Sequence, residues 1–361
     1  MTYTWKPNWN ETRQHFIRWW NQEGLLLSCW GDHDALIPHA DVADPGAAPT
    51  VADKYTNLDW ITANSHHRLS QKDFLGDILP FAGSGPDWLG PLLGAKPEFA
   101  PSTVWIHPHL ADVAEAEKLP PFRFDPENRW WQLIEALMKR NVEMARGKYL
   151  VAYPFGIENL DALASVRGSE ILMMDMIERP EWVKEKLEEI HQFEQDVYRR
   201  LHAIIQAEDG SMAVRPFRLW APGRAGLLQC DASAMFSTEM FERFELPILK
   251  RRCASLEYSV YHIDGSQCLP HVDALLSIAE LKAIEWTPDP AVPNGGDRHW
   301  YALYQKILAA GKSVQVTEIT GEQIVPLLDN IGAKGVYVLA NWMDRPSFEK
   351  VLNDVQKYHS L

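Results

Sequence analysis

Two short apolar runs in the last third of the chain each end in ionisable side chains. The first, residues 258–263, contains His262 and is followed by Asp264; the second, residues 281–286, contains Glu285 and is followed by a proline-rich turn. In parallel α/β enzymes, the catalytic side chains lie at the carboxyl ends of the strands. The two runs therefore predict an enzyme whose active site lies where these strands end.

Strand-like and helical segments alternate along most of the chain, which is typical of a parallel α/β fold. The strand-like runs are residues 25–30, 74–80, 149–153, 225–230, 258–263, 281–286, 313–317 and 335–340. Eight such strands favour a closed barrel over an open sheet. We therefore predict a single (β/α)8 TIM barrel domain over residues 1–361, with an elaborated N-terminal region, a helix within 1–24 and an excursion at 81–128.

Composition limits the kinds of partner. The chain has 35 Lys and Arg against 49 Asp and Glu, a net charge of −14, so nucleic acid and anionic membranes are not expected to bind. No apolar stretch approaches the roughly 20 residues that span a bilayer, and the first residues lack the core of a signal peptide. The four cysteines are widely spaced, without a C-x-x-C pair, and predict free thiols or metal ligands. We expect a cytoplasmic protein.

Other candidate catalytic residues follow the ends of predicted strands. Asp32 and His33 follow the first strand, and Asp231 follows the run at 225–230. His262 and Asp264 lie two residues apart on one strand, so both side chains face the same side. That arrangement suits joint metal binding, or a histidine base oriented by a carboxylate.

Candidate substrate-binding residues are aromatic or cationic. Trp30, Tyr153 and Trp286 lie near predicted strand ends, where aromatic rings can line a pocket. Arg224, with Arg215 and Arg218 just before it, precedes the strand at 225–230. A guanidinium group can bind a carboxylate or phosphate with two hydrogen bonds. The same arginines could instead simply balance the acidic surface.

Several segments resemble one known family. Residues 74–80 (F-L-G-D-I-L-P) and 284–290 (I-E-W-T-P-D-P) are similar to S-D-I-L-P and W-T-x-D-P segments of the uroporphyrinogen decarboxylase superfamily. Residues 227–231 and 237–247 resemble its central strand and helix. This superfamily includes the haem-pathway decarboxylase and corrinoid-dependent methyltransferases. The resemblance covers roughly residues 70–358 and implies a (β/α)8 barrel that forms a homodimer.

The chain departs from that family at two sites. The decarboxylase binds substrate carboxylates with an arginine-rich loop after its first strand, whereas residues 28–34 here read S-C-W-G-D-H-D. Acidic side chains would repel a polycarboxylate, so uroporphyrinogen decarboxylation is not expected. The methyltransferases hold zinc with H-x-C and a later Cys; here Asp264 replaces the first Cys. The remaining candidate metal ligands are His262, Asp264, Glu285 and Glu318, which offer nitrogen and oxygen atoms.

Three functions stay open. The first is a metal-assisted, methyltransferase-like enzyme acting on a small substrate, with zinc or another divalent metal as Lewis acid and a corrinoid supplied through a partner protein. The second is a metal-free decarboxylase or lyase acting on a small acidic or polyol substrate. There, His262 would be the acid or base, Asp264 would orient it, and Asp231 would stabilise positive charge. The third is a non-catalytic barrel that binds a ligand between tryptophan rings.

Overall fold

The computed structural model describes residues 2–83, 88–111 and 119–359. The strands in these ranges are β1 Leu25–Cys29, β2 His33–Asp34, β3 Lys72–Asp73, β4 Phe81–Ala82, β5 Lys96–Phe99, β6 Val104–His107, β7 Leu150–Tyr153, β8 Met212–Val214, β9 Leu219–Ala221, β10 Ala225–Leu228, β11 Tyr258–Asp264, β12 Ala283–Thr287, β13 Ser313–Ile319 and β14 Val336–Ala340.

The α-helices are α1 Trp9–Trp20, α2 Asp53–Thr56, α3 Leu58–Ser70, α4 Leu89–Leu92, α5 Arg129–Ala145, α6 Leu160–Arg167, α7 Ser169–Glu178, α8 Pro180–Ile205, α9 Thr238–Met240, α10 Leu246–Ser255, α11 Val272–Leu276, α12 Tyr301–Ala309, α13 Gly321–Ile331 and α14 Arg345–His359. A π-helical turn, Phe241–Glu245, joins α9 to α10, and 3-10 turns occupy Asp231–Met235, Ser266–His271 and Arg298–Trp300. None of the described helices is both long and apolar enough to cross a membrane.

The protein is an α/β structure built on a six-stranded parallel sheet with the order β1-β14-β13-β12-β11-β10. A second sheet has the order β4-β7-β8-β9, in which β8 and β9 form an antiparallel hairpin. Two contacts join the two sheets. The Asp77 amide donates to the Leu27 carbonyl (3.1 Å) beside β1, and Ile157, beyond β7, pairs with Leu228 of β10.

The central strands are buried over most of their length, as strands covered on both faces are; Asp264 of β11 and Glu318 of β13 are the exposed positions. β14 is apolar and every one of its residues is buried. α5 and α8 each bury one face and leave the other in solvent, the pattern expected of helices that cover a sheet. Along each strand, successive side chains point alternately toward these helices and away from them. Neighbouring residues on a strand therefore pack on opposite faces of the sheet.

Most predicted elements are present. Seven of the eight predicted strands correspond to β1, β7, β10, β11, β12, β13 and β14, and α1 lies within residues 1–24. The predicted strand at 74–80 is wrong, because Gly76 has a φ of 51° and turns the chain there; a two-residue strand, β4, follows instead. The predicted excursion at 81–128 contains α4 and the β5–β6 hairpin, while residues 84–87 and 112–118 lie outside the described ranges. All four cysteines are free and buried.

Candidate active site

A row of polar side chains crosses four adjacent strands of the parallel sheet. His262 of β11 is in register with Glu285 of β12, Glu285 with Gln315 of β13, and Gln315 with Tyr337 of β14. Partners in parallel register face the same side of a sheet, so these four side chains form one continuous polar row. Glu285, Gln315 and Tyr337 are fully buried. Buried polar groups are costly unless they are hydrogen-bonded, so each needs a partner.

His262 and Glu285 form the centre of the polar row. The imidazole Nδ1 is hydrogen-bonded to a Glu285 carboxylate oxygen. The other Glu285 oxygen accepts hydrogen bonds from Thr287 (2.7 Å) and Thr317 (3.1 Å). With Nδ1 engaged in this way, Nε2 of His262 is the nitrogen left to face the end of the strand. Glu285 therefore fixes both the orientation and the tautomer of the imidazole ring.

Two carboxylates stand beside the free nitrogen of His262. One ligand atom each from Asp231, His262 and Asp264 lies within 4.8 Å of the other two, and His262 Nε2 is 4.0 Å from Asp264 Oδ1. We call these three residues the carboxylate–histidine triad. Asp231 and Asp264 are exposed whereas His262 is buried, so the triad opens toward solvent.

The backbone beside Asp231 is held by a further carboxylate. Asp161 of α6 accepts hydrogen bonds from the amides of Asp231 (2.6 Å) and Ala232 (2.8 Å). These bonds fix the start of the 3-10 turn that follows β10. Asp161 therefore positions the main chain from which the Asp231 side chain reaches the triad.

The charge around His262 affects its protonation. Burial opposes the charged imidazolium, but Glu285, Asp231 and Asp264 favour it, and their combined effect raises the pKa of His262 above its ordinary value. A ring that carries its second proton more readily is a stronger base at Nε2. The same negative surroundings also attract a metal cation.

The turn between β8 and β9 packs onto the polar row. The Phe217 ring lies 4.7 Å from the His262 ring, centroid to centroid. The Phe217 carbonyl accepts a hydrogen bond from Gln315 (2.8 Å), and the Arg218 carbonyl accepts one from Tyr337 (3.0 Å). We call residues 215–218 the hairpin tip. The outer members of the polar row are thus paired with the main chain of the hairpin tip.

Arginines gather beside the loop that follows β1. Asp32 lies 2.9 Å from Arg218 and 2.9 Å from Arg68. Arg218 also donates to the Trp30 carbonyl (3.1 Å), and the Trp30 ring contacts Phe217. The negative charge of Asp32 in this loop is therefore neutralised by arginines from other elements. The expected repulsion of a polycarboxylate by this loop is correspondingly reduced.

The structure brings some predicted site residues together and separates others. Asp231, His262 and Asp264 meet, with Glu285 behind the ring. Asp264 was expected to orient His262; in the structure Glu285 bonds the Nδ1 of His262, and Asp264 lies near the opposite nitrogen. Glu318 is exposed, beyond an irregularity in β13, and is not grouped with the triad.

Three other candidates face elsewhere. Arg224 precedes β10, at the opposite end of that strand from Asp231, and is paired with Glu257 (3.3 Å) in an exposed ion pair. The Trp286 ring packs on Trp300, and the Tyr153 ring packs on Tyr198 of α8. These contacts lie in the helical layer, because each ring has the opposite strand parity to the inward-facing residues.

His33 is also set apart from the triad. Its Nε2 lies 3.1 Å from the Met343 carbonyl, and its ring stacks on Phe348 of α14. The neighbouring Asp32 and Trp30 do belong to the surroundings of the hairpin tip. Residues that sequence reasoning did not place in the site are Phe217, Gln315 and Tyr337. Gln315 and Tyr337 join the site through strand register, and Phe217 joins it through the packing of the β8–β9 turn; both depend on the folded sheet.

Comparison with solved structures identifies a similar fold. A methyltransferase from Methanosarcina mazei superposes with a TM-score of 0.63, over 97% of this chain and 99% of that chain, at 9% sequence identity. At that identity the likeness shows a shared fold and nothing about activity. No protein-family model and no curated protein matches the sequence. Membership of the uroporphyrinogen decarboxylase superfamily therefore stays a prediction.

Proposed function

We propose that the protein is a metal-assisted, methyltransferase-like enzyme acting on a small substrate. The observation that carries the proposal is the carboxylate–histidine triad, in which Glu285 leaves Nε2 of His262 directed toward two exposed carboxylates. The methyl-transfer part is supported by the fold that the chain shares with a methyltransferase. We also infer that the two sheets, which are joined by the Asp77–Leu27 hydrogen bond and the Ile157–Leu228 bridge, close into one (β/α)8 barrel with the triad at its mouth.

The triad has the chemistry of a divalent metal site. One imidazole nitrogen and two carboxylate oxygens suit zinc or a harder divalent ion, and three protein ligands leave a coordination position for substrate. Metal-bound histidines usually donate their second ring N–H to a carboxylate, as His262 does to Glu285. A metal here would supply Lewis acidity that activates a bound nucleophile. In this proposal Glu285 and Glu318 are not ligands.

The residues around the triad would orient the substrate. Asp161 fixes the backbone at Asp231, and Glu285 fixes the ring of His262. Phe217 covers one side of that ring and limits the access of water. Groups held in this way need little rearrangement during the reaction, which is a main source of catalytic rate. A methyl donor would reach the site from the solvent side, where Asp231 and Asp264 are exposed; a corrinoid held by a partner protein is the donor we propose.

The same geometry favours one second candidate, a metal-free lyase or decarboxylase. The buried Glu285 carboxylate and the raised pKa of His262 are features of a histidine that accepts a proton at Nε2. In that case Asp231 and Asp264 would stabilise positive charge instead of binding a metal. The two candidates differ in whether a metal is present.

Metal analysis of the purified protein after loading with zinc tests the proposal. We expect about one bound zinc per chain, because the triad offers ligands for one ion. His262→Ala should lose the metal and the activity while remaining folded, whereas His299→Ala, which removes an exposed histidine, should retain both. Activity would be assayed with methylcobalamin as the methyl donor and a panel of small thiols as acceptors.

Two results would count against the metal. The first is a wild-type protein that binds no zinc or other divalent ion even after loading. The second is a His262→Ala variant that binds as much zinc as the wild type. Either result, combined with loss of turnover in His262→Ala, would favour the metal-free candidate. Full turnover in His262→Ala would contradict both.

A further inference from the structure

Arg215, at the start of the hairpin tip, lacks an acidic partner among the described residues. It is partly buried, and one of its guanidinium nitrogens donates to the Gly83 carbonyl (2.6 Å). A guanidinium group has five N–H donors, so most of those of Arg215 are not used by the described part of the chain. Burial, with smaller effects from Arg68 and Arg218, lowers the pKa of Arg215. A charge in such surroundings is stabilised by an anion.

The charges around Arg215 do not balance. Arg68, Arg215 and Arg218 are near enough to influence one another, and Asp32 is the carboxylate that contacts two of them. Arg68 and Arg218 thus share one carboxylate, and Arg215 is paired with none in the described ranges, in a chain whose net charge is −14. A local positive excess in an acidic protein attracts anions to that place in particular.

The arginines are held in fixed positions. The Arg215 amide donates to the Tyr153 carbonyl (3.1 Å), and Tyr337 bonds the carbonyl of Arg218. Arg218 has a φ of 52°, in the left-handed region that non-glycine residues rarely adopt. Strained backbone of this kind persists where surrounding contacts impose it, and it is concentrated in binding sites. The main chain that carries both arginines is therefore fixed, and the guanidinium groups are held by Gly83 at Arg215 and by Asp32 and Trp30 at Arg218.

The hairpin tip also lies beside the triad. Phe217, between the two arginines in sequence, contacts the ring of His262. Arg218 directly follows Phe217 and Arg215 lies two residues before it, so the arginines flank in sequence the residue that touches His262. The rings of Trp30 and Phe217 add apolar walls next to Arg218. One small molecule with an apolar body could contact the arginines and the triad together.

We propose that Arg215 and Arg218 bind the carboxylate of a small substrate whose reacting end lies at the triad. The inference rests on the proposed function for the identity of that reacting end, but the binding of the carboxylate itself does not need a metal. It defines the substrate class as a small carboxylic acid with an apolar portion. Of the three arginines that the sequence offered for binding an anion, it assigns the role to Arg215 and Arg218 and not to Arg224, which is paired with Glu257.

Binding of matched acids and amides to the metal-free protein tests this assignment. The probes are benzoate and benzamide, and acetate and acetamide, measured by calorimetry or ligand-observed NMR. At least one acid should bind about tenfold more tightly than its amide, since hydrogen bonds to a charged group are the stronger kind. Arg215→Gln should remove the difference, and Arg215→Lys should retain part of it because the charge remains. Arg199→Gln, a change to an exposed arginine of α8, should leave it intact.

The outcomes separate this inference from the proposed function. If neither acid binds more tightly than its amide, or if folded Arg215→Gln and Arg215→Lys keep the full preference, the carboxylate site is overturned. If His262→Ala binds no zinc but still binds the acids more tightly than the amides, the carboxylate site is supported independently of the triad. If the wild type prefers acids yet binds no metal, the metal-assisted function fails alone. Thermal unfolding of each variant confirms that it is folded.

Discussion

One buried carboxylate, Glu285, determines how His262 is presented to solvent. Its two oxygens are used by different partners, one by the imidazole Nδ1 and the other by Thr287 and Thr317. A buried carboxylate with so many donors is held firmly, and the ring that it holds cannot rotate freely. The sequence predicted that Glu285 lies near His262. It could not show whether Glu285 would bind a metal itself or orient the histidine that binds it.

Glu285→Gln separates those two roles. The amide can still accept a hydrogen bond from the imidazole, but it lacks the negative charge that holds the ring in place. We therefore expect zinc affinity to fall by about 10–100-fold, the usual effect of replacing a carboxylate that hydrogen-bonds a metal-binding histidine. Isothermal titration with zinc, competed against a chelator, measures the change. Glu318→Gln is the matched control and should leave zinc affinity unchanged, because Glu318 is exposed and not grouped with the triad. A larger effect at Glu318 would return that residue to the list of ligands.

At the scale of elements, the β8–β9 hairpin connects the two proposed binding sites. Its tip contacts His262 through Phe217, and Arg218 of the tip pairs with Asp32. Gln315 and Tyr337 hold the tip by its carbonyls, and Trp20 of α1 donates to the Trp220 carbonyl (2.9 Å). The hairpin is thus tied to the sheet and to the N-terminal helix at once.

Tyr337→Phe tests whether the tip must be held. Removing the hydroxyl leaves the Arg218 carbonyl without this buried donor, which should cost about 1–3 kcal/mol in the free energy of unfolding. We expect the preference for benzoate over benzamide to shrink as well, while the zinc content stays at the wild-type level. Tyr358→Phe removes a hydroxyl that bonds Asp329 near the surface and should leave the benzoate preference unchanged. An unchanged preference in Tyr337→Phe would mean that the arginines do not need this support.

The hairpin also shows where sequence reasoning stops. Residues 258–264 are long enough for a period of two to predict that His262 and Asp264 share a face, and β11 confirms it. β8 and β9 have three residues each, too few to show a period, and Pro216 interrupts the run between them. The contacts of Arg215 and Arg218 depend on where that hairpin packs. They follow from tertiary structure that no local pattern encodes.

Over the whole molecule, histidines set the response to mild acid. Six histidines have a lowered pKa, with burial as the main cause: His66, His109, His191, His202, His271 and His359. Two, His15 and His262, have a raised pKa because of neighbouring carboxylates. A histidine with a lowered pKa binds its proton more readily when unfolded, so acid favours unfolding; a raised pKa acts in the opposite direction. The larger group of histidines favours a loss of stability as the pH falls below about 6.5, whereas Glu245, whose pKa burial raises to about 8, acts in the opposite direction.

His191 should contribute most clearly to that loss. Burial, then the charges of Arg252 and Arg251, lowers its pKa to about 4, while in the unfolded chain it is about 6.5. Its contribution to folding is therefore complete above about pH 6.5 and is lost progressively as the pH falls toward about 4. Denaturant unfolding at about pH 7 and about pH 5, where most unfolded carboxylates remain ionised, should show a smaller drop in unfolding free energy for His191→Gln than for the wild type. His299→Gln, at an exposed position, should keep the full drop. Equal drops in His191→Gln and the wild type would show that His191 is not kept neutral in the folded protein.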